Sequence, residues 1–102
     1  ILVGDAARHV NPITGGGIHT ALSSGVIAGA FLAGLIRSNL PTTAGQLRGY
    51  QERWLEKLGN KMWKLYEEKT AIFRLRDEGE RDRQLYHTMS AYFHPESEYK
   101  KI

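Results

Sequence analysis

The chain of 102 residues contains no cysteine. That excludes disulfides, thiolate metal ligands and a cysteine nucleophile, without deciding the compartment. It also lacks a dominant charge, since 14 Lys and Arg face 11 Asp and Glu for a net +3. The balance is too even for a nucleic-acid surface, so no nucleic-acid partner is expected. No basic stretch followed by a small-residue cleavage site opens the sequence, as a secretory leader would require. Neither an internal repeat nor a low-complexity tract is present. A starting Met is missing too. The apolar run Ile1-Leu2-Val3 opens as though inside a strand, which predicts a carboxy-terminal piece of something larger.

What is present is ordinary for a globular chain: 41% hydrophobic and 25% charged residues. At this length a small core is feasible but marginal. One long uncharged segment stands out, Ile18 to Ile36, bounded by Arg37. Its length approaches the ~20 residues that cross a bilayer. His19, Thr20, Ser23 and Ser24 make its first turns polar, however, so a buried core helix is the expectation. Along it Ala21, Gly25, Gly29 and Ala33 recur every fourth residue. A helix-interior glycine costs about 1 kcal/mol relative to alanine, so this ladder predicts close backbone approach to a neighbour.

The remaining pattern is mainly α, one short strand plus about three helices. Ile1 to Val3 reads as a buried strand ended by Gly4, followed by a loop over 5–16 shaped by Pro12. A first helix is expected from Gly16 or Gly17 to Arg37. Thr43 and Gln46 form a capping box for a second, which carries an apolar stripe through Tyr50, Trp54, Leu58, Met62 and Leu65 to about Arg74. Gly59-Asn60 predicts a slight bend in it. Asp77 and Glu80 cap a third, which His94-Pro95 ends, leaving a charged tail over Glu96 to Ile102.

The chemistry lies at the start. An apolar run ending in a carboxylate, a loop, and a glycine-opened helix bring Asp5 and several unpaired backbone amides to one end of the fold. Gly4-Asp5-Ala6-Ala7, then Pro12, then Gly17-Ile18 resembles the second flavin-binding motif of FAD-dependent monooxygenases and reductases. Within that group, Val10 to Ile18 is most similar to the geranylgeranyl reductase family, which saturates double bonds in isoprenoid chains of ether lipids and of chlorophyll.

The resemblance implies an α/β, Rossmann-like FAD-binding parent. Residues 1–40 would close its FAD-binding domain, and 41–102 would form a carboxy-terminal helical region. It implies that Asp5 accepts a hydrogen bond from the ribityl chain of FAD, that Gly4 turns the chain away, and that Pro12 shapes the loop beside the isoalloxazine. Gly16, Gly17 and Ile18 would present amides to the pyrimidine edge. Physics supports that last role, because a reduced flavin is anionic there and a helix N-terminus supplies partial positive charge and free donors. The implied partners are FAD, a polyprenyl lipid and the missing amino-terminal part of the same protein, in a cytoplasmic setting with possible peripheral membrane contact. Arg8 and His19 depart from the broader pattern, which commonly has His and Asn there. No residue is a convincing proton donor, and the catalytic residues stay unassigned. The chain alone is expected neither to hold FAD tightly nor to turn over.

Plainer readings compete. Asp5 alone could form an Asx turn. His9 and His19 lack metal-ligand spacing, so no metal is expected. Ser23 and Ser24 lack a nucleophile elbow. The exposed-looking run Arg53, Lys57, Lys61, Lys64 is most simply a solvated face, or else a basic patch against anionic lipid. Tyr50, Trp54, Trp63 and Tyr66 are more often core than substrate wall. The rivals are a flavin monooxygenase or halogenase on the same scaffold, and a non-enzymatic helical membrane or interaction module.

Overall fold

Two alanine- and leucine-bearing apolar patterns of helical period, separated by a proline-containing connection, should pair as an antiparallel couple. The computed structural model, which describes residues 1–93, shows that pairing. Helix α1 runs Ile18–Arg37, and α2 follows at Ala44–Trp54. A π-helical turn over Leu55–Gly59 then leads directly into α3, Asn60–Phe73, and α4 occupies Glu78–Phe93. The expected end of the last helix at His94-Pro95, and the charged tail, lie outside the described residues.

The starts form where short polar side chains can reach free amides. Thr43 Oγ1 accepts from Gln46 N at 3.4 Å, and Asp77 Oδ1 accepts from Glu80 N at 2.7 Å. Each satisfies one of the orphan donors of a helix N-terminus. Helix α1 ends with its Ser38 and Asn39 amides turned back onto Gly34 and Ile36 carbonyls, Asn39 taking a left-handed φ of 54°.

Ile1 to Val3 form no strand, contrary to the sequence pattern. All three are exposed, and among the described residues no strand is found. A strand exists only through a partner backbone that completes its ladder, and none is supplied here. Gly4–Ala7 instead make one 3-10 turn.

The core lies between α1 and the α2–α3 helix. Ala28, Phe31 and Leu35 meet Tyr50, Trp54, Leu58, Met62 and Leu65, the last only 1% exposed. The closest approach falls at Gly49, where a Cβ would stand 2.8 Å from the Phe31 ring. The ladder read in α1 is therefore not the packed face. Nothing comes within 4 Å of a Cβ built at Gly25 or Gly29, while Thr20, Ser24, Ala28, Phe31 and Leu35 turn inward. Ala21 makes a close approach against Gly4. Periodicity of four fixed a face of α1, but not which face meets this particular neighbour.

The expected bend at Gly59-Asn60 takes the form of the widened turn, in which Asn60 N–H reaches back five residues to the Leu55 carbonyl. Gly59 allows it: a Cβ there would sit 2.9 Å from both Trp54 Nε1 and Leu55 Cδ2. The π-helix occurs mostly as such single turns within α-helices. Its open side at Gly59 is filled by the Trp54 indole.

Helix α1 is long and apolar enough to cross a membrane, with 20 residues at mean hydropathy 1.5. Its inward stripe is nonetheless occupied by α2 and the 3-10 turn. Its other side is open, exposing Ile18, Leu22, Val26 and Ile36.

Candidate functional site

The amino-terminal loop is tied to α1 at its start and at its middle. Gly4 N donates to Ser24 Oγ at 3.0 Å, and Thr20 Oγ1 donates to the His9 carbonyl. Ser24 is wholly buried and Thr20 nearly so. This accounts for the polar first turns of the otherwise apolar helix: the two hydroxyls are the posts on which the loop hangs. Gly4 has φ +60°, and a Cβ on it would approach Ala21 Cβ at 3.1 Å, so both conformation and space call for glycine.

Beyond His9 the loop folds on Asn11. Its side-chain oxygen accepts from Ile13 N at 2.9 Å and Thr14 N at 3.1 Å. Its backbone pairs with Gly16 O and Gly15 N, both at 2.9 Å. Gly15 supplies the positive φ, +73°, that closes this turn. Pro12 thus sits at the outer bend of an internally bonded loop. An Asn before Pro in a glycine-rich turn is a turn signal in its own right.

At the loop's exit, α1 opens without a side-chain cap, with Gly17 at the N-cap position. Gly16 N reaches Thr14 Oγ1 at 3.2 Å on the surface. Among the described residues, the amides of Gly17, Ile18 and His19 have no acceptor. The Asp5 carboxylate lies against this mouth, for a Cβ on Gly17 would stand 2.8 Å from Asp5 Oδ1. Asp5 and Ile18 are both exposed. The structure therefore brings Asp5, Gly16, Gly17 and Ile18 to one exposed edge, with Gly4 at its base and Pro12 at the outer bend. A carboxylate beside a helix N-terminus is favourably placed by the dipole even without a ligand. Uncapped, outward-facing donors beside an acceptor also suit a ligand that has hydroxyls on one part and electron-rich atoms on another.

Behind the loop, His9 is stacked on Trp54 with ring centroids 3.7 Å apart and planes at 15°. It is 9% exposed, its Nδ1 is buried without a partner, and desolvation holds its pKa below the usual histidine value. A neutral imidazole follows at neutral pH. His9 is therefore a packing residue that locks loop to helix, which its sequence context did not reveal. Tyr50 and Trp54 are core as expected. Trp63 and Tyr66 are not: they stand 61% and 49% exposed on α3.

No family model and no solved structure matches the chain. Curated proteins do. It is 54% identical over 59 residues to digeranylgeranylglycerophospholipid reductase 2 of Methanopyrus kandleri, a stretch covering 58% of the chain and 15% of that protein. Over 78 residues it is 41% identical to the digeranylgeranylglycerophospholipid reductase of Methanothrix thermoacetophila, covering 76% of the chain and 20% of the relative. That of Methanococcus vannielii is 49% identical over 57 residues, 56% of the chain and 14% of the relative. The matched stretch spans no more than about a fifth of these relatives' length. Homology at this level supports a geranylgeranyl reductase family segment.

Proposed function

We propose, from this geranylgeranyl reductase kinship, that the chain builds the pyrimidine-edge side of an FAD site in a reductase acting on the polyprenyl chains of isoprenoid lipids. The observation that carries the reading is the contact of the Asp5 carboxylate with Gly17 at a helix mouth whose amides have no acceptor. Those groups fit the cofactor. Asp5 would hold a ribityl hydroxyl, Gly16, Gly17 and Ile18 would meet the electron-rich ring edge, and Gly4 and Pro12 would shape the approach. Glycine at position 17 keeps the mouth clear of any Cβ. When bound, FAD supplies the two-electron chemistry by which an alkene gains a hydride at one carbon and a proton at its neighbour.

The chain's own contribution is electrostatic. Partial positive charge at the α1 N-terminus favours an anionic ligand edge, and the loop's internal bonding holds the donors in place before binding. The open face of α1, with Ile18, Leu22, Val26 and Ile36 exposed, is where the rest of the same protein would pack. Action at a membrane surface from the cytoplasmic side fits the exposed cations Arg53, Lys57, Lys61 and Lys64.

The test uses the full-length protein and the 102-residue chain side by side. The full-length protein is expected to purify with flavin absorbance and, given a reductant without oxygen, to convert a geranylgeranyl lipid to its hydrogenated form. The short chain alone is expected to retain no stoichiometric flavin. Oxygen-dependent NADPH consumption with the alkenes left intact would select a monooxygenase instead.

A further inference from the structure

The loop has a second side that the flavin reading does not use. Between residues 7–15 and the α2–α3 helix runs a groove of about 1070 Å³. That is at the upper end of the ~300–1,000 Å³ usual for small-molecule sites. One wall is the loop, from Ala7 through Pro12 to Gly15, and the other is a strip of Leu55, Met62, Trp63 and Tyr66. Gly16 and Gly17 do not border it, so the stretch Pro12 to Gly15 is the partition between groove and helix mouth.

The strip is unusual for a surface. Trp63 and Tyr66 are both exposed, yet they are held rather than loose. Trp63 Nε1 donates to Glu67 Oε1 at 3.1 Å, and the Trp63 and Tyr66 rings contact at 5.4 Å between centroids. A pinned, tilted aromatic pair presents apolar faces at little further entropic cost on binding. The π turn serves the same wall, since Gly59 and Asn60 also border the groove, where the turn admits the Trp54 indole. Two cations complete the lining, Arg8 from the loop and Lys69 from α3. Among the described residues neither forms an ion pair, although Lys69 Nζ lies over the Phe73 ring, 6.0 Å from its centroid. No carboxylate borders the groove.

We propose that this groove seats the isoprenoid chain of the substrate against Leu55, Met62, Trp63 and Tyr66, and that Arg8 and Lys69 receive its phosphate headgroup. This rests on the reductase reading and assigns the substrate a place there. A long apolar chain with an anionic end matches the groove's two chemistries, an aromatic-aliphatic wall and two cations without a carboxylate partner. A neutral hydrocarbon would leave the cations unused, and a polar anion would leave the wall unused. Pro12, as the partition, puts a chain lying in the groove next to the edge where the flavin reading places the ring.

The test is photolabelling of the full-length protein with geranylgeranyl phosphate carrying a diazirine on its chain. Labelled peptides are expected to include Leu55, Met62, Trp63 or Tyr66. Unlabelled geranylgeranyl phosphate should prevent the labelling, and inorganic phosphate alone should not. Lys69→Glu and Trp63→Ser, both at exposed positions, are each expected to weaken binding of the probe about tenfold, ~1.4 kcal/mol. Flavin absorbance should be unchanged in both, which also reports that they fold. A protein that carries flavin and reduces the alkene, but is labelled only elsewhere or binds the probe equally well in both variants, overturns the groove and leaves the reductase reading standing. A full-length protein with no flavin and no alkene reduction overturns both.

Discussion

His9 shows how one side chain sets the loop's dependence on solution conditions. Stacked on Trp54 and desolvated, its imidazole has a folded pKa below its ordinary value of 6.5. Well above pH 6.5 both folded and unfolded forms hold it neutral, and it confers no pH dependence. As the pH falls below 6.5 the unfolded chain takes up the proton first, so stability declines until the folded pKa is reached and then levels. Denaturant unfolding of the chain between pH 7.5 and 5 is expected to show this loss. His9→Phe, which keeps an aromatic face on Trp54 and removes an unpartnered Nδ1, should flatten that part of the slope. An unchanged slope in the variant would place the titration elsewhere. Asp5 has the opposite character, an exposed group whose value lies in its position beside Gly17 rather than in its own stability.

At the scale of elements, helix boundaries were legible because short-range chemistry sets them. Thr43 and Asp77 cap the helices read from them, and both act within three residues. The glycine opening of α1 was legible for the same reason. Two features were not, because both depend on partners distant in sequence. Ile1 to Val3 carry the composition of a buried strand but meet no second strand, and the Gly25–Gly29 side of α1 meets nothing within 4 Å. The contact that sets the α1–α2 distance, Phe31 on Gly49, lies between residues whose spacing gives no local signal. Of the site, the glycines, Asp5 and Pro12 were readable as a motif, whereas the Ser24 and Thr20 posts and the His9–Trp54 stack emerge only once the chain folds back. A paired substitution separates intrinsic helix preference from packing. In the 102-residue chain Gly25→Ala and Gly29→Ala are each expected to stabilise α1 by up to about 1 kcal/mol, because the added Cβ meets open space. In the full-length protein the same changes are expected to destabilise, since there the ladder would face a neighbour. Equal stabilisation in both, measured as thermal midpoints, would show that the face stays open.

For the molecule as a whole, the described helices form a two-layer arrangement drawn out along one axis. The radius of gyration is 16.7 Å, against about 13 Å for a compact domain of this size. Its faces divide the work. The inward stripe of α1 makes the core, its outer stripe is exposed, its N-terminal mouth gathers donors around Asp5, and the α2–α3 helix backs the loop from behind. Arg53, Lys57, Lys61 and Lys64 are exposed along α2, the π turn and α3, with Arg53 lying over the edge of the core at the Phe31 ring.

The flavin content of full-length Gly17→Val, set beside the unaltered protein, examines the helix mouth most directly. Gly17 has a backbone conformation open to any residue, φ −117°, so the substitution should spare the fold. Its Cβ would nevertheless displace the Asp5 carboxylate, which lies 2.8 Å from that position. The account predicts a folded protein that has lost most of its flavin absorbance. Full flavin occupancy in the valine variant, with normal turnover, would contradict it.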